Sequence, residues 1–313
     1  MSERSESKCC GSLVTTAKGL ANPKTMITLR QSLIAATQQL ATDEHLRGEA
    51  QRDAELLLLH TLQITRANLL AHPDDELTSA QLYLYEQTIH RRLRHEPVQY
   101  ITGQQEFYGL PLRVSPAVLI PRPETEHLVE CVLARVPHDH PVSIADVGTG
   151  SGAIAIALAV HLPEAHITAL DVSPEALHIA QLNAENHDVA HRIRFLRSDL
   201  FAALPPGASF DAIASNPPYV PTSDSASLHP QVREHEPVTA LFAGPDGLDI
   251  YRRLIPEAQR LLKPNGLLAL EIGQGQQASL TALLANWHDL FFINDLQQIP
   301  RVAVATRPSA THL

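Results

Sequence analysis

The chain has 313 residues, 44% of them hydrophobic, and a net charge of −10 from 24 basic and 34 acidic side chains. That length accommodates two domains with sizeable cores, and the acidic balance argues against a protein that lives on naked nucleic acid, where a basic footprint is expected. Three cysteines cannot make a disulfide framework, no stretch is long and apolar enough for a membrane helix, and the 17 histidines show neither HExxH nor zinc spacing with cysteine, so a cytoplasmic protein without a metal is expected.

Residues 1–25 are polar, with Arg4, Lys8 and the vicinal pair Cys9-Cys10 but no apolar core, so they read as a disordered tail rather than a secretory signal. Residues 26–103 follow, from Met26, with helical periodicity: Leu29, Leu33, Ala36 and Leu40 share a face, as do Ala54, Leu57 and Leu58, and then Leu82, Tyr85, Ile89 and Leu93. Thr65 is placed to cap a short helix that stops at His72-Pro73. Four or five helices result. This region shows no catalytic constellation, so it is expected either to bind a protein substrate or only to steady the rest. Arg91, Arg92 and Arg94 form a solvated helix end or a docking patch.

Residues 104–121 read as a β-hairpin linker turning near Gly109-Leu110-Pro111. A helix over 124–136 follows, with Pro123 near its first turn. From 122 to 313 the chain alternates strand and helix: strands near 142–146, 166–170, 193–197, 210–215 and 267–272, helices near 152–161, 174–186, 248–262 and 276–287. That alternation predicts an α/β fold with a mostly parallel, doubly wound sheet. Two late runs, Leu290-Phe291-Phe292-Ile293 and Val302-Ala303-Val304-Ala305, suggest an antiparallel pair that closes it. Residues 220–247 read as a long polar loop, expected to line a substrate channel.

Two motifs carry chemistry. Asn216-Pro217-Pro218-Tyr219 follows the fourth of these strands. Proline fixes its own φ and biases the residue before it toward extended geometry, so the carbonyls there are held at set angles. An Asn oxygen and the Pro217 carbonyl can accept both hydrogens of a planar NH2 group while Tyr219 covers its face; the same tetrapeptide is also ordinary turn chemistry. The second motif, Asp146-Val147-Gly148-Thr149-Gly150-Ser151-Gly152, sits between a strand and a helix, the layout of a nucleotide crevice. The next strand ends in Asp171, placed for ribose hydroxyls, and the third leads to Asp199 and Leu200, where a carboxylate can meet an adenine edge. GxGxG spacing after an acidic Asp146 suits a cationic, amino-acid-bearing ligand such as S-adenosylmethionine better than the diphosphate of a dinucleotide.

With these residues, the sequence resembles the protein-glutamine methyltransferases that act on peptide chain release factors. The resemblance runs from about Met26 to the C-terminus. It is carried by the two motifs and by Glu96-Pro97-Val98-Gln99-Tyr100-Ile101-Thr102-Gly103, Phe107-Tyr108-Gly109 and Ile120-Pro121-Arg122-Pro123-Glu124-Thr125-Glu126. It implies a seven-stranded class I methyltransferase sheet, S-adenosylmethionine as methyl donor, and release factors, through a Gly-Gly-Gln loop, as protein substrate. It also implies Asn216, Pro217, Pro218 and Tyr219 at the substrate amide, and Asp146, Gly148 to Gly152, Asp171, Asp199, Leu200 and Asn216 at the cofactor. Leu200 stands where the family often has an aromatic. Arg122 and Glu124 shape the cofactor's carboxylate end or the substrate entry, or Arg122 makes an interdomain ion pair. A monomer that does not bind DNA is expected. Three readings compete: methylation of a large-subunit ribosomal protein, methylation of the adenine amine in DNA, and a cofactor-binding adaptor without catalysis.

Overall fold

A computed structural model describes residues 27–309; the expectations for 1–25 lie outside them. Five helices come first: α1 (Leu29–Leu40), α2 (Ala50–Leu62), α3 (Arg66–Ala71), α4 (Ser79–Arg92) and α5 (Val98–Thr102). Local chemistry starts them. Thr28 and Gln31 form a reciprocal capping box on α1, Thr78 and Gln81 another on α4, and Thr65 caps α3. Leu40, Leu46, Leu57, Leu58 and Ile89 are buried between them, and the Tyr85 hydroxyl donates to the Ala54 carbonyl at 2.9 Å. Each such aliphatic side chain contributes about 1.5–3 kcal/mol on full burial. The expected basic patch is not free. Arg92 is buried against Asp53 at 2.7 Å, and Arg91 is clasped by Glu96, which leaves Arg94 as the exposed member.

The hairpin pairs β1 (Gln104–Phe107) with β2 (Leu110–Arg113). Tyr108 and Gly109 make its two-residue turn with φ of 53° and 73°, the twist that suits tight hairpins. Glu126 steadies this turn by accepting the Tyr108 N–H at 2.8 Å.

Helix α6 (Pro123–Leu133) leads into a seven-stranded sheet. Its strands are β3 (Ser143–Val147), β4 (His166–Asp171), β5 (Ile193–Arg197), β6 (Phe210–Ser215), β7 (Leu262–Glu271), β8 (His288–Asn294) and β9 (Pro300–Thr306), in the order β5-β4-β3-β6-β7-β9-β8. The first five are parallel; β9 and β8 close the sheet antiparallel. Near-continuous apolar residues in β3 and β6 match strands covered on both faces. Helix α7 (Ala153–His161) is apolar all round and buried from Ala153 to Ala159, so it lies inside the protein and not on its surface. Helices α8 (Pro174–Asn186), α10 (Asp249–Leu261) and α11 (Gln277–Leu283) complete the layers.

Two expectations change. Helix α11 stops well short of 287, and Trp287 instead buries its ring in the core. Residues 220–247 are not a structureless loop. They hold a turn of 3-10 helix (Thr222–Ser227), α9 (Pro230–His235) and a second such turn (Val238–Ala240). Prolines at 221, 230 and 237 start each of these short pieces, and Val220 ties the segment back by accepting from Ala243 and donating to Leu241.

Candidate active site

Strand β3 is followed outward on one side by β4 and β5, and the chain then returns to its other side with β6. That reversal is the switch point at which ligands bind in open α/β sheets. It places the glycine loop beyond β3 beside Asn216-Pro217-Pro218 beyond β6. Val147 and Ser215 are register partners, and the Ser215 hydroxyl donates to the Val147 carbonyl at 2.6 Å, which fastens the two loops together. Residues from both line one cavity: Gly148, Thr149, Gly150 and Ser151 from the first, Asn216, Pro217 and Pro218 from the second. Asp171, Asp199, Leu200 and Arg122 also line it. So do Pro237, Thr239 and Ala240, from the segment expected to border a channel.

The glycine loop is held mainly by the end of β4. Gly148 and Thr149 N–H donate to the Leu170 carbonyl, Gly150 N–H to Asp171 Oδ2 at 2.9 Å, and Gly152 N–H to the Thr149 carbonyl. Of the five amides only Ser151 N–H has no acceptor among the described residues. The glycines thus serve shape more than donation. Gly148, Gly150 and Gly152 have φ of 75°, 55° and 84°, and a Cβ on Gly152 would come within 2.9 Å of Ile156 and 3.1 Å of Ala180. Gly152 sits behind the loop, where α7 and α8 meet, and does not line the cavity.

Asp146 does not line it either. It is fully buried under the loop, where its Oδ2 accepts from the Thr149 hydroxyl at 2.6 Å and from Ala155 N–H at 3.2 Å. Its Oδ1 has no partner among the described residues. Burial pushes its carboxyl up to about 7, against the pull of the Thr149 hydrogen bond. Asp171 is also raised by burial, while its oxygens accept from Gly150 and Ser173 N–H. Asp199 is largely exposed and pairs with Arg253 at 2.7 Å; Leu200 is buried, with a φ of 47°.

The donor set tests the ligand. Val147, Ile154, Leu170 and Ala176 make apolar walls, and the charged lining residues are Asp171, Asp199 and one arginine. With four of the five loop amides engaged and no lysine in the lining, the site is poorly made for a pyrophosphate. It fits a cationic adenosyl ligand, whose ribose meets Asp171 and whose positive sulfur is tolerated by the carboxylates.

The amide-gripping half depends on residues that the motif does not contain. Asn216 Nδ2 donates to the Thr125 hydroxyl oxygen at 3.1 Å, and the Thr125 hydroxyl donates to Glu271 Oε2 at 2.6 Å. Tyr219 turns away from the cavity, and its hydroxyl donates to Glu271 Oε1 at 3.3 Å. Its expected place over the substrate face is therefore not where the ring lies. Burial pushes the Glu271 carboxyl up to about 7 and the Tyr219 phenol well above its ordinary value. Asn216 Oδ1 and the Pro217 carbonyl accept nothing from the described residues. Gln276 holds the end of the tetrapeptide by donating to the Tyr219 carbonyl at 3.0 Å, and a Cβ on Gly247 would strike that carbonyl at 2.2 Å.

Sequence reasoning missed Thr125 as a contact of Asn216, and it missed Glu271, Gln276 and Glu236. Arg122 makes an ion pair with buried Glu236, whose second oxygen has no partner among the described residues, while Glu124 stays outside the cavity. A buried carboxylate late in an otherwise apolar strand, as in Leu268-Ala269-Leu270-Glu271, was the available signal for Glu271.

A seven-stranded sheet of this order, with a glycine loop and an Asn-Pro-Pro-Tyr at its switch point, defines a class I methyltransferase using S-adenosyl-L-methionine. Residues 31–103 match the family model described as PrmC N-terminal domain, and residues 124–231 that of the methyltransferase small domain. The release factor glutamine methyltransferase of Koribacter versatilis is 43% identical over 284 residues, 91% of this chain and 100% of that one. Its counterpart in Moorella thermoacetica is 48% identical over 253 residues, covering 80% of this chain and 87% of that one. Among solved structures, the catalytic domain of hMettl16 in complex with an RNA hairpin covers 71% of this chain and 83% of its own, with a TM-score of 0.54 at 18% identity, a likeness of fold alone. The chain belongs to the release factor glutamine methyltransferase family.

Proposed function

We propose that the enzyme transfers a methyl group to the side-chain amide nitrogen of a glutamine in peptide chain release factors, within their Gly-Gly-Gln loop. The observation that supports this most is the pair of open acceptors, Asn216 Oδ1 and the Pro217 carbonyl, on the wall of the same cavity as the glycine loop.

An amide nitrogen is a weak nucleophile because its lone pair is delocalised into the carbonyl. S-adenosyl-L-methionine supplies a methyl carbon on a positively charged sulfur. The chain's residues must aim the nitrogen at that carbon and stabilise its N–H groups as they become acidic. Asn216 Oδ1 and the Pro217 carbonyl accept the two N–H bonds, which fixes the nitrogen's direction without a titrating base. Positioning of this kind lowers barriers by up to about 7–11 kcal/mol, and acceptors placed where positive charge develops add to it. The C–N bond forms as the C–S bond breaks, and one N–H proton leaves to water. On the cofactor side, Asp171 accepts from the ribose hydroxyls and Leu200 borders the adenine. Asp146, buried beneath the glycine loop, sets its carboxylate behind the cavity wall, where its negative charge favours the ligand's ammonium without touching it. The helices of residues 26–103 dock the protein substrate, residues 104–121 join the two domains, and the enzyme works as a cytoplasmic monomer without touching DNA. Among the described residues no helix is long and apolar enough to cross a membrane.

The test is incubation of the enzyme with labelled S-adenosyl-L-methionine and either an intact release factor, a ribosomal-protein substrate or DNA. Label in the release factor, mapped to one glutamine by mass spectrometry, is expected. Label in DNA with a silent protein lane would overturn the reading.

A further inference from the structure

The side chain of Asn216 has two faces of opposite hydrogen-bonding character, and only one of them serves an incoming amide. If its NH2 faced the cavity it would meet the substrate's own N–H bonds and repel them. Something in the chain must therefore set which way round the amide lies. The two motifs do not supply it: no residue of the tetrapeptide or of the glycine loop hydrogen-bonds the Asn216 side chain.

We propose that Glu271 and Thr125 form a positioning relay that sets the orientation of the Asn216 amide. Glu271 Oε2 accepts the Thr125 hydroxyl hydrogen at 2.6 Å. A hydroxyl that donates in that direction keeps its lone pairs for acceptance, and Asn216 Nδ2 donates to them at 3.1 Å. With Nδ2 held there, Oδ1 is left as the face turned to the incoming substrate. Glu271 lies outside the cavity, Thr125 stands on its wall, and both act through Asn216.

The setting explains why a carboxylate is needed. Glu271 is buried behind the cavity wall, and Thr125, itself mostly buried, lies on that wall beside Asn216. A carboxylate has acceptors only, so Thr125 has one choice of direction. Once protonated, Glu271 can itself donate to the Thr125 oxygen, the hydroxyl hydrogen then points to Asn216, and the amide is driven to turn over. The groups that face Glu271 are the Tyr219 hydroxyl on Oε1, the Tyr251 hydroxyl on its main-chain carbonyl at 2.7 Å, Glu124 from α6 and Arg301 from β9. Burial holds the carboxyl near neutrality, and Glu124 adds to this while Thr125, Tyr219 and Arg301 oppose it. The relay is thus a point at which the amide grip senses proton concentration.

This inference rests on the amide-gripping role of Asn216, and the test separates the two. Thr125→Val keeps the shape and removes the hydroxyl; Thr125→Ser restores it; Glu271→Gln keeps the size and removes the charge. Each is assayed with S-adenosyl-L-methionine and an intact release factor, beside Asn216→Ala. Thr125→Val and Glu271→Gln are expected to lower kcat by about 10- to 100-fold, with cofactor affinity and the KM for release factor within about threefold and Thr125→Ser close to the parent. The parent's kcat should rise with pH through about 7, a limb that Glu271→Gln should lack. Should Thr125→Val not fold, Glu271→Gln and the pH limb carry the test. The relay is overturned by Asn216→Ala being inactive while Thr125→Val or Glu271→Gln turns over like the parent, or by Thr125→Ser failing along with Thr125→Val. An active Asn216→Ala would overturn the grip itself.

Discussion

The two halves of the cavity are built in opposite ways. The glycine loop is organised by the strand that follows it and by neighbours in sequence: Gly148, Thr149 and Gly150 bond to Leu170 and Asp171 of β4, Thr149 and Ala155 bond to Asp146 across three and nine residues, and the next helix starts on Gly152. The Asn-Pro-Pro-Tyr loop is organised by distant ones. Asn216 reaches Thr125 across 91 positions, Thr125 reaches Glu271 across 146, and Gln276 reaches Tyr219 across 57. The glycine-loop site is carried largely within one strand-helix-strand unit, β3-α7-β4. The site that must aim one particular atom is braced by the whole sheet.

This comparison can be broken, and the largest effect is expected at its centre. Asn216→Ala should lower kcat by about 100-fold or more, while cofactor affinity, measured by calorimetry, stays within about threefold. Equal loss of both would mean that the two halves are not separable. Gly152→Ala is expected to cost about 1–3 kcal/mol of stability in urea unfolding, because a φ of 84° and the contacts to Ile156 and Ala180 leave no room for a Cβ.

A pH titration sharpens the comparison further. Asp146 in the free enzyme is raised from 3.8 to about 7. The folded state therefore holds a proton that the unfolded chain releases, and Asp146's contribution to stability falls as pH rises across that interval. An ammonium ligand prefers the ionised carboxylate, so cofactor affinity should increase with pH through about 7, by no more than about tenfold per pH unit. Calorimetry at several pH values checks this, and Asp146→Asn should flatten the curve. The smallest effect is expected from Arg253→Ala. Its ion pair with Asp199 is about half exposed on both sides, so stability should change by less than about 1 kcal/mol, and a larger loss of cofactor affinity would assign Asp199 a bigger share of the adenine contact.

Much of this molecule was legible before its fold. The strand over Phe210–Ser215 and the helix over Pro174–Asn186 stand where their apolar runs and their flanking prolines and serine put them, because period and capping are local. So does the adjacency of the two motifs, since a parallel sheet that reverses its order leaves one crevice for both. Three placements were not legible. Asp146 and Tyr219 lie behind the cavity wall, the first because strand residues alternate sides and Val147 takes the inner one, the second because two prolines turn the chain toward β7. Residues 220–247 looked like a bare loop because their three short helical pieces have too few turns to show a period.

What the amino-acid sequence by itself determined is the order of elements, the crevice and the chemistry that its motifs present. Tertiary structure alone decided the pairings: Arg92 with Asp53, Arg122 with Glu236, Asn183 bridging the Arg113 backbone to the Ser151 carbonyl, and the run from Glu271 through Thr125 to Asn216. The reason is physical. A cap or a glycine turn is selected by energies that act within a few residues. A buried polar group, by contrast, must find its partner wherever the packed chain brings one, and local sequence carries no record of that distance.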